Sequence, residues 1–289
     1  MLFYLRVILL FVFSYTTCDA YLVQEADYTF KSSSIDVVIP CAGKDIETLE
    51  LCIDGIKKYG KKVRRVIVVS DKRYTDKAEW FDEKNFPFTK LDVAQSIFDT
   101  PSSALQVLQD APSRISWVYQ QLLKLYAFST IPNLSRNVLL LDADTVFLRS
   151  VHFLKEGKYG FLTAAHEYHK PYFAHMKRLI PWLKRVHLDY SGIAHHMLIQ
   201  KPIIEDLIDT IQKEHRTIAW RAICNKIDRQ DFYSSCMSEY EIYFNFALMR
   251  TDKVKVRSLK WKNVSSLIEI DLARAEGYHF VSCHTSLRG

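Results

Sequence analysis

Two aspartates one residue apart, Asp142 and Asp144, follow the apolar run Val138-Leu139-Leu140-Leu141 and precede Thr145-Val146-Phe147-Leu148. Carboxylates at the end of a hydrophobic strand pack poorly, and burying them is costly unless a cation or several donors compensate. Their hard oxygens suit Mn2+ or Mg2+, ions that take one or two protein carboxylates and fill their shell with substrate phosphates. The alternative is an ordinary turn after the strand, where aspartate is common. The apolar residues on both sides favour the metal reading, because ligands of open α/β sheets sit at strand ends. A second acidic pair, Glu239 and Glu241, offers general acid/base chemistry or else caps a helix start. His195-His196 follows Ser191-Gly192. Adjacent strand residues face opposite ways, so at most one of these histidines serves a site.

The elements that must position these groups alternate between strand and helix. Residues 35–39 are β-branched and run into Pro40-Cys41-Ala42-Gly43-Lys44, a buried strand entering a loop. Over 46–59, Leu49, Cys52, Ile53 and Ile56 recur at helical spacing until Gly60 stops the pattern. Residues 63–69 form a second strand, and strand–helix–strand with short connections means a parallel sheet with a right-handed crossover. Residues 73–113 are mixed and stay unassigned. The spacing predicts a helix over 117–130, on which Gln121 and Lys124 share a face. Residues 138–141 are the apolar central strand of a sheet covered on both sides. Strand-like 159–164 and 193–199, helix-like 202–213 and 239–248, and a terminal strand over 278–283 follow. The fold class is α/β, with a mostly parallel central sheet flanked by helices.

Several stretches also resemble a known family. VLLLDADTVFL is similar to the Asp-x-Asp strand of GT-A-fold glycosyltransferases, and SWVYQQLLKLYAF resembles the helix before it in a group of them that includes a DUF6492-like set. DVVIPCAGKD is similar to their first nucleotide-binding strand and SEYEIYFNFA to their acidic acceptor-side segment. The resemblance implies one Rossmann-like GT-A domain over 35–289, with a nucleotide-sugar-binding half (35–150) and a smaller acceptor-side half (151–289). It implies that Asp144 binds Mn2+ or Mg2+ directly and that Asp142 contacts metal or ribose. A C-terminal histidine would be the third ligand, His284 first and His279 second. Pro40, Ala42 and Lys44 fall where the family contacts the nucleotide, with Gln121 and Lys124 turned toward the donor. Glu239 is expected to bind or deprotonate the acceptor, with Glu241 in reserve and His196 nearby. The implied activity is sugar transfer from a nucleotide-sugar to a glycan, lipid or protein acceptor. The alternatives are a sugar nucleotidyltransferase and a catalytically silent secreted carbohydrate-binding protein.

The 289 residues are 48% hydrophobic and 25% charged, a globular composition, and 8 Gly with 8 Pro leave no long flexible linker. The formal charge of +6 comes with basic clusters at Lys57-Lys58 and Lys184-Arg185. These are solvated helix faces, or a field for phosphate-bearing donors or an anionic membrane. No nucleic-acid-binding motif accompanies them. Met1 to Tyr15 is almost entirely apolar, broken only by Arg6, the stretch from Val7 to Thr17 is uncharged, and Cys18-Asp19-Ala20 is a small-x-small cleavage signal. Residues 1–20 therefore read as a signal peptide or an uncleaved signal anchor, or else as a buried helix. The first two place the domain outside the cytosol: secreted, periplasmic or in the secretory-pathway lumen, with membrane association through residues 1–17. Of six cysteines, Cys18 lies in that segment. The others show no CxxC spacing, which speaks against zinc, and an oxidising compartment would allow a Cys224–Cys236 disulfide.

Overall fold

A computed structural model of the protein describes residues 28, 34–155 and 158–284. The expected signal segment, 1–20, lies outside the described residues, among which no helix is long and apolar enough to cross a membrane. The chain runs β1 (Ile35–Pro40), α1 (Ile46–Tyr59), β2 (Val63–Ser70), β3 (Glu79–Asp82), α2 (Lys90–Ile97), α3 (Pro101–Asp110), α4 (Pro112–Leu125) and α5 (Ala127–Thr130). It continues through β4 (Asn137–Leu141), β5 (Thr145–Phe147), β6 (Leu154–Lys155), β7 (Tyr159–Thr163), α6 (Lys170–Leu179), β8 (His196–Gln200), α7 (Lys201–His215) and α8 (Ala219–Asn225). It ends with α9 (Glu239–Arg250), β9 (Val254–Arg257), β10 (Trp261–Asn263), α10 (Ile268–Ala275) and β11 (Phe280–Ser282).

The central sheet has the order β3-β2-β1-β4-β8. Its first three neighbour pairs are parallel and β8 runs antiparallel to β4. The fold is α/β with mixed sheets, as two smaller ones, β10-β11-β5 and β6-β7-β9, flank the central one. Strand alternation splits the core in two. Val37, Ile39, Leu139 and Leu141 pack on α1 through Leu49, Ile53 and Ile56. Val38, Leu140, Ile67 and Val69 face the layer of α2, α4 and α7 to α9. A Cβ at Gly55 of α1 would lie 2.8 Å from the Phe147 carbonyl oxygen, so glycine lets the helix sit on β5. That contact seats the strand directly after Asp144.

Three local expectations shift. The predicted 117–130 helix begins earlier, because Pro112 occupies its first turn, where its fixed φ and missing N–H cost nothing. It breaks at Tyr126 (φ −95°, ψ 3°) into α4 and α5. The strand expected over 193–199 begins only at His196, because His195 adopts φ 60°, outside the strand region. The unassigned 73–113 stretch holds two short capped helices: Thr89 and Asp92 form a capping box on α2, and Thr100 caps α3 ahead of Pro101.

Candidate active site

The carboxyl end of β4 turns sharply, the Thr145 amide donating to the Asp142 carbonyl oxygen at 3.0 Å. The two aspartates diverge there. Asp144 and His284 line a cavity of about 670 Å3 together with Pro40, Ala42 and Lys44. Asp144 Oδ1 accepts from Ser282 Oγ at 3.2 Å, and Asp144 Oδ2 lies 3.1 Å from His284 Nδ1. The aspartate side chain is 12% exposed and the histidine 33%. Pairing of β11 with β5 sets Ser282 opposite Thr145, which explains how a C-terminal strand reaches this carboxylate. Burial pushes the Asp144 carboxyl up, but the hydrogen bond from His284 prevails and holds it below the usual range. The same hydrogen bond raises His284.

Asp142 looks the other way. Its Oδ1 accepts from Lys124 Nζ at 2.5 Å and from the Tyr240 hydroxyl at 3.0 Å. Lys124 Nζ also donates to Glu239 Oε1 at 2.7 Å and stands 4.2 Å from the Tyr240 ring centroid. Burial would push the lysine down, but Asp142 and Glu239 outweigh it and keep the ammonium charged. Asp142 is driven low despite burial by Lys124 and His195. Glu239 goes up through burial, with Asp142 adding repulsion against the pull of Lys124. One buried cation thus serves two carboxylates, and α4, β4 and α9 meet on it. His195 Nδ1 lies 3.6 Å from Asp142 Oδ2, and its ring centroid is 4.7 Å from that of His284. A non-glycine residue at φ 60° costs on the order of 1–3 kcal/mol, and here the strained residue lies beside Asp142 and against the ring of His284.

Among the described residues, no group of three or more His, Cys, Asp or Glu is gathered into a ready cage for an ion. A carboxylate oxygen and an imidazole nitrogen already in contact are nevertheless donors that Mn2+ accepts, leaving positions for phosphate oxygens and water. The residues present fit such an ion through Asp144 and His284.

Other expected site residues fall elsewhere. Gln121 does not face the cavity: its Oε1 accepts from the Glu239 amide at 3.0 Å and fastens the start of α9. Glu239 and Lys124 are locked to each other, and neither borders the cavity. His196 is turned into the core, its Nε2 2.9 Å from Thr163 Oγ1 and its ring packed on Phe147, Phe153 and Phe280. Burial lowers it to about 3, so it stays neutral, and His195 takes the place beside Asp142. His279 lies outside the cavity, its Nδ1 accepting from the Lys260 amide. Cys224 and Cys236 are buried free thiols in one hydrophobic cluster, so the expected disulfide is not formed.

Sequence reasoning missed Tyr240, His195 and Ser282, and the cavity wall of Glu83, Lys90 and Arg114. Ser282 had a readable signal: two residues before His284, it shares that histidine's face of an extended chain. Glu83 and Arg114 fall in or beside the stretch that carried no clear pattern.

Glu241 is also buried, its Oε1 accepting from the Gly192 amide at 3.2 Å and its Oε2 from Asn245 Nδ2 at 2.9 Å. Burial pushes its carboxyl from the usual 4.5 up to about 7, against both donors. A raised carboxyl stabilises the fold fully below about 4.5, and the contribution is lost as pH climbs through about 7. The linkage amounts to roughly 3 kcal/mol. Glu241→Gln should therefore show a smaller fall in urea midpoint between about pH 5 and pH 8 than wild type. Parallel profiles would mean that Glu241 is ionised throughout.

Fold and site together define an α/β domain that gathers a carboxylate and an imidazole at a sheet end, in a cavity with basic walls. Residues 32–272 match DUF6492, a family of unknown function, and the chain belongs to that family. Ser282 and His284 lie beyond the matched segment. A search of curated proteins finds no match.

Proposed function

We propose that the protein is a metal-dependent glycosyltransferase that takes a nucleotide-sugar donor and acts on a glycan, lipid or protein acceptor outside the cytosol. The observation that carries this reading is the shared cavity: Pro40, Ala42 and Lys44 after β1, Asp144 after β4 and His284 after β11 all border it. About 670 Å3 falls within the size range of small-molecule sites. Lys44, Lys90 and Arg114 supply positive charge for a diphosphate. Asp144 and His284 would hold Mn2+ or Mg2+, which when bound neutralises charge on the leaving diphosphate. Glu239, Glu241 and His196 do not border the cavity, so the reading rests on donor binding and not on an assigned base.

One observation favours a silent carbohydrate-binding protein of the same fold. Lys124 already neutralises Asp142, which leaves Asp144 as the one aspartate of the pair that faces the cavity. A screen of nucleotide-sugars with Mn2+ or with chelator, reading released nucleotide, separates the two. Metal-dependent release from one donor supports the transferase. No release, with no metal-dependent rise in Tm on adding nucleoside diphosphates, leaves the silent protein.

A further inference from the structure

A second cavity, of about 460 Å3, opens along β9, the edge strand of the β6-β7-β9 sheet. No residue lining it also lines the Asp144 cavity. One of its lining residues is Arg257, whose guanidinium carbon stands 4.6 Å from the Phe161 ring centroid and 5.8 Å from that of Phe153. Its Nε and Nη2 are buried and have no hydrogen-bond partner among the described residues. Burial lowers the guanidinium to about 10, and no carboxylate acts in the opposite direction. Every other shifted arginine has an acid beside it: Arg64 has Asp36, Arg65 has Glu79, Arg229 has Asp99 and Arg250 has Asp206.

An unpaired buried charge costs several kcal/mol, and among the described residues no acid is paired with this one. The surroundings add positive charge and hydroxyls rather than a counter-ion. Lys255, two residues earlier on the same strand, shares its face, and His187, Tyr190, Thr251 and Ser258 complete the polar wall. The one acid on the rim, Asp252, is exposed and lies 3.6 Å from Lys253. A guanidinium over an aromatic ring is weakly hydrated and carries paired N–H groups, a donor set that suits planar or tetrahedral oxyanions.

We propose that this pocket is a binding site for an oxyanion group, phosphate or carboxylate, gripped by Arg257 with Lys255 assisting. The site stands apart from the donor-site reading and survives if that reading fails.

The test follows the Tm of the full chain against sodium phosphate and, separately, sodium acetate, with chloride holding ionic strength constant. Wild type should be stabilised in a concentration-dependent way by at least one of the two, and the anion that acts names the group. Arg257→Gln should lose that response, with apparent affinity weaker by roughly tenfold or more. In chloride alone this variant should melt at or above wild type, since it removes an unpaired charge. Arg257→Lys, which keeps the charge and loses the fork, should retain part of the response. Equal responses in wild type and Arg257→Gln would overturn the proposal, as would no response to either anion. So would an Arg257→Gln protein that fails to fold or melts several degrees lower in chloride, since the guanidinium would then be structural.

Discussion

Asp144→Asn should weaken metal-dependent nucleoside diphosphate binding by roughly a hundredfold or more, since a lost metal ligand costs several kcal/mol and each 1.4 is tenfold. The fold should survive. Asparagine keeps the oxygen that accepts from Ser282 Oγ, and the Cys283 amide donates to the backbone oxygen of residue 144, which does not change. What disappears is the negative charge facing the cavity, and with it the interaction that raises His284. Calorimetric titration with Mn2+ present and absent, beside a thermal melt, measures both halves of the expectation. A variant that still binds nucleotide with undiminished metal dependence would remove Asp144 from the metal site.

Lys124→Met should destabilise the protein by about 3–5 kcal/mol, the cost of leaving buried charge without its partner. Methionine fills much of the volume, so the loss reports charge more than packing. Asp142 and Glu239 would both keep their buried positions with no cation between them. Without Lys124 their folded values rise above the unfolded ones. Stability is then largely retained at low pH, where both are protonated, and lost as pH rises through the raised values. The defect in urea midpoint should therefore be largest near neutrality and shrink on acidification. Adding Glu239→Gln should recover part of it, because one uncompensated carboxylate is gone. A loss below about 1 kcal/mol in the single variant would place the lysine in a solvated pair instead.

Both predictions concern residues that the sequence brought forward, but to different depths. Asp142 and Asp144 were legible because an uninterrupted apolar strand ending in carboxylates is costly without a purpose. The strand–helix–strand start was legible through its periodicity, and Ile46–Tyr59 matches the expected span. Lys124 was visible only as a polar residue on a helix face. Its partners lie 18 and 115 residues away, and nothing local announces which face of a helix will meet a distant acid. For His195 and His196 the strand rule did not apply, because a left-handed backbone at residue 195 keeps it out of the strand, and His195 rather than His196 stands beside Asp142. Within 73–113 the Thr89–Asp92 capping box and Thr100-Pro101 were written in the sequence. Helices of 8 and 10 residues, however, are too short for a firm apolar period.

The pairing of β5 with β11 also bears on how the protein is made. Asp144 leaves the ribosome 138 residues ahead of Ser282, and His284 comes later still. All five strands of the central sheet have been translated by Gln200. The sheet can thus be assembled while its cavity still lacks a wall. A message interrupted between those two points would yield a chain with its framework strands complete and its cavity without Ser282 and His284. Completion of the site is therefore a late event in translation.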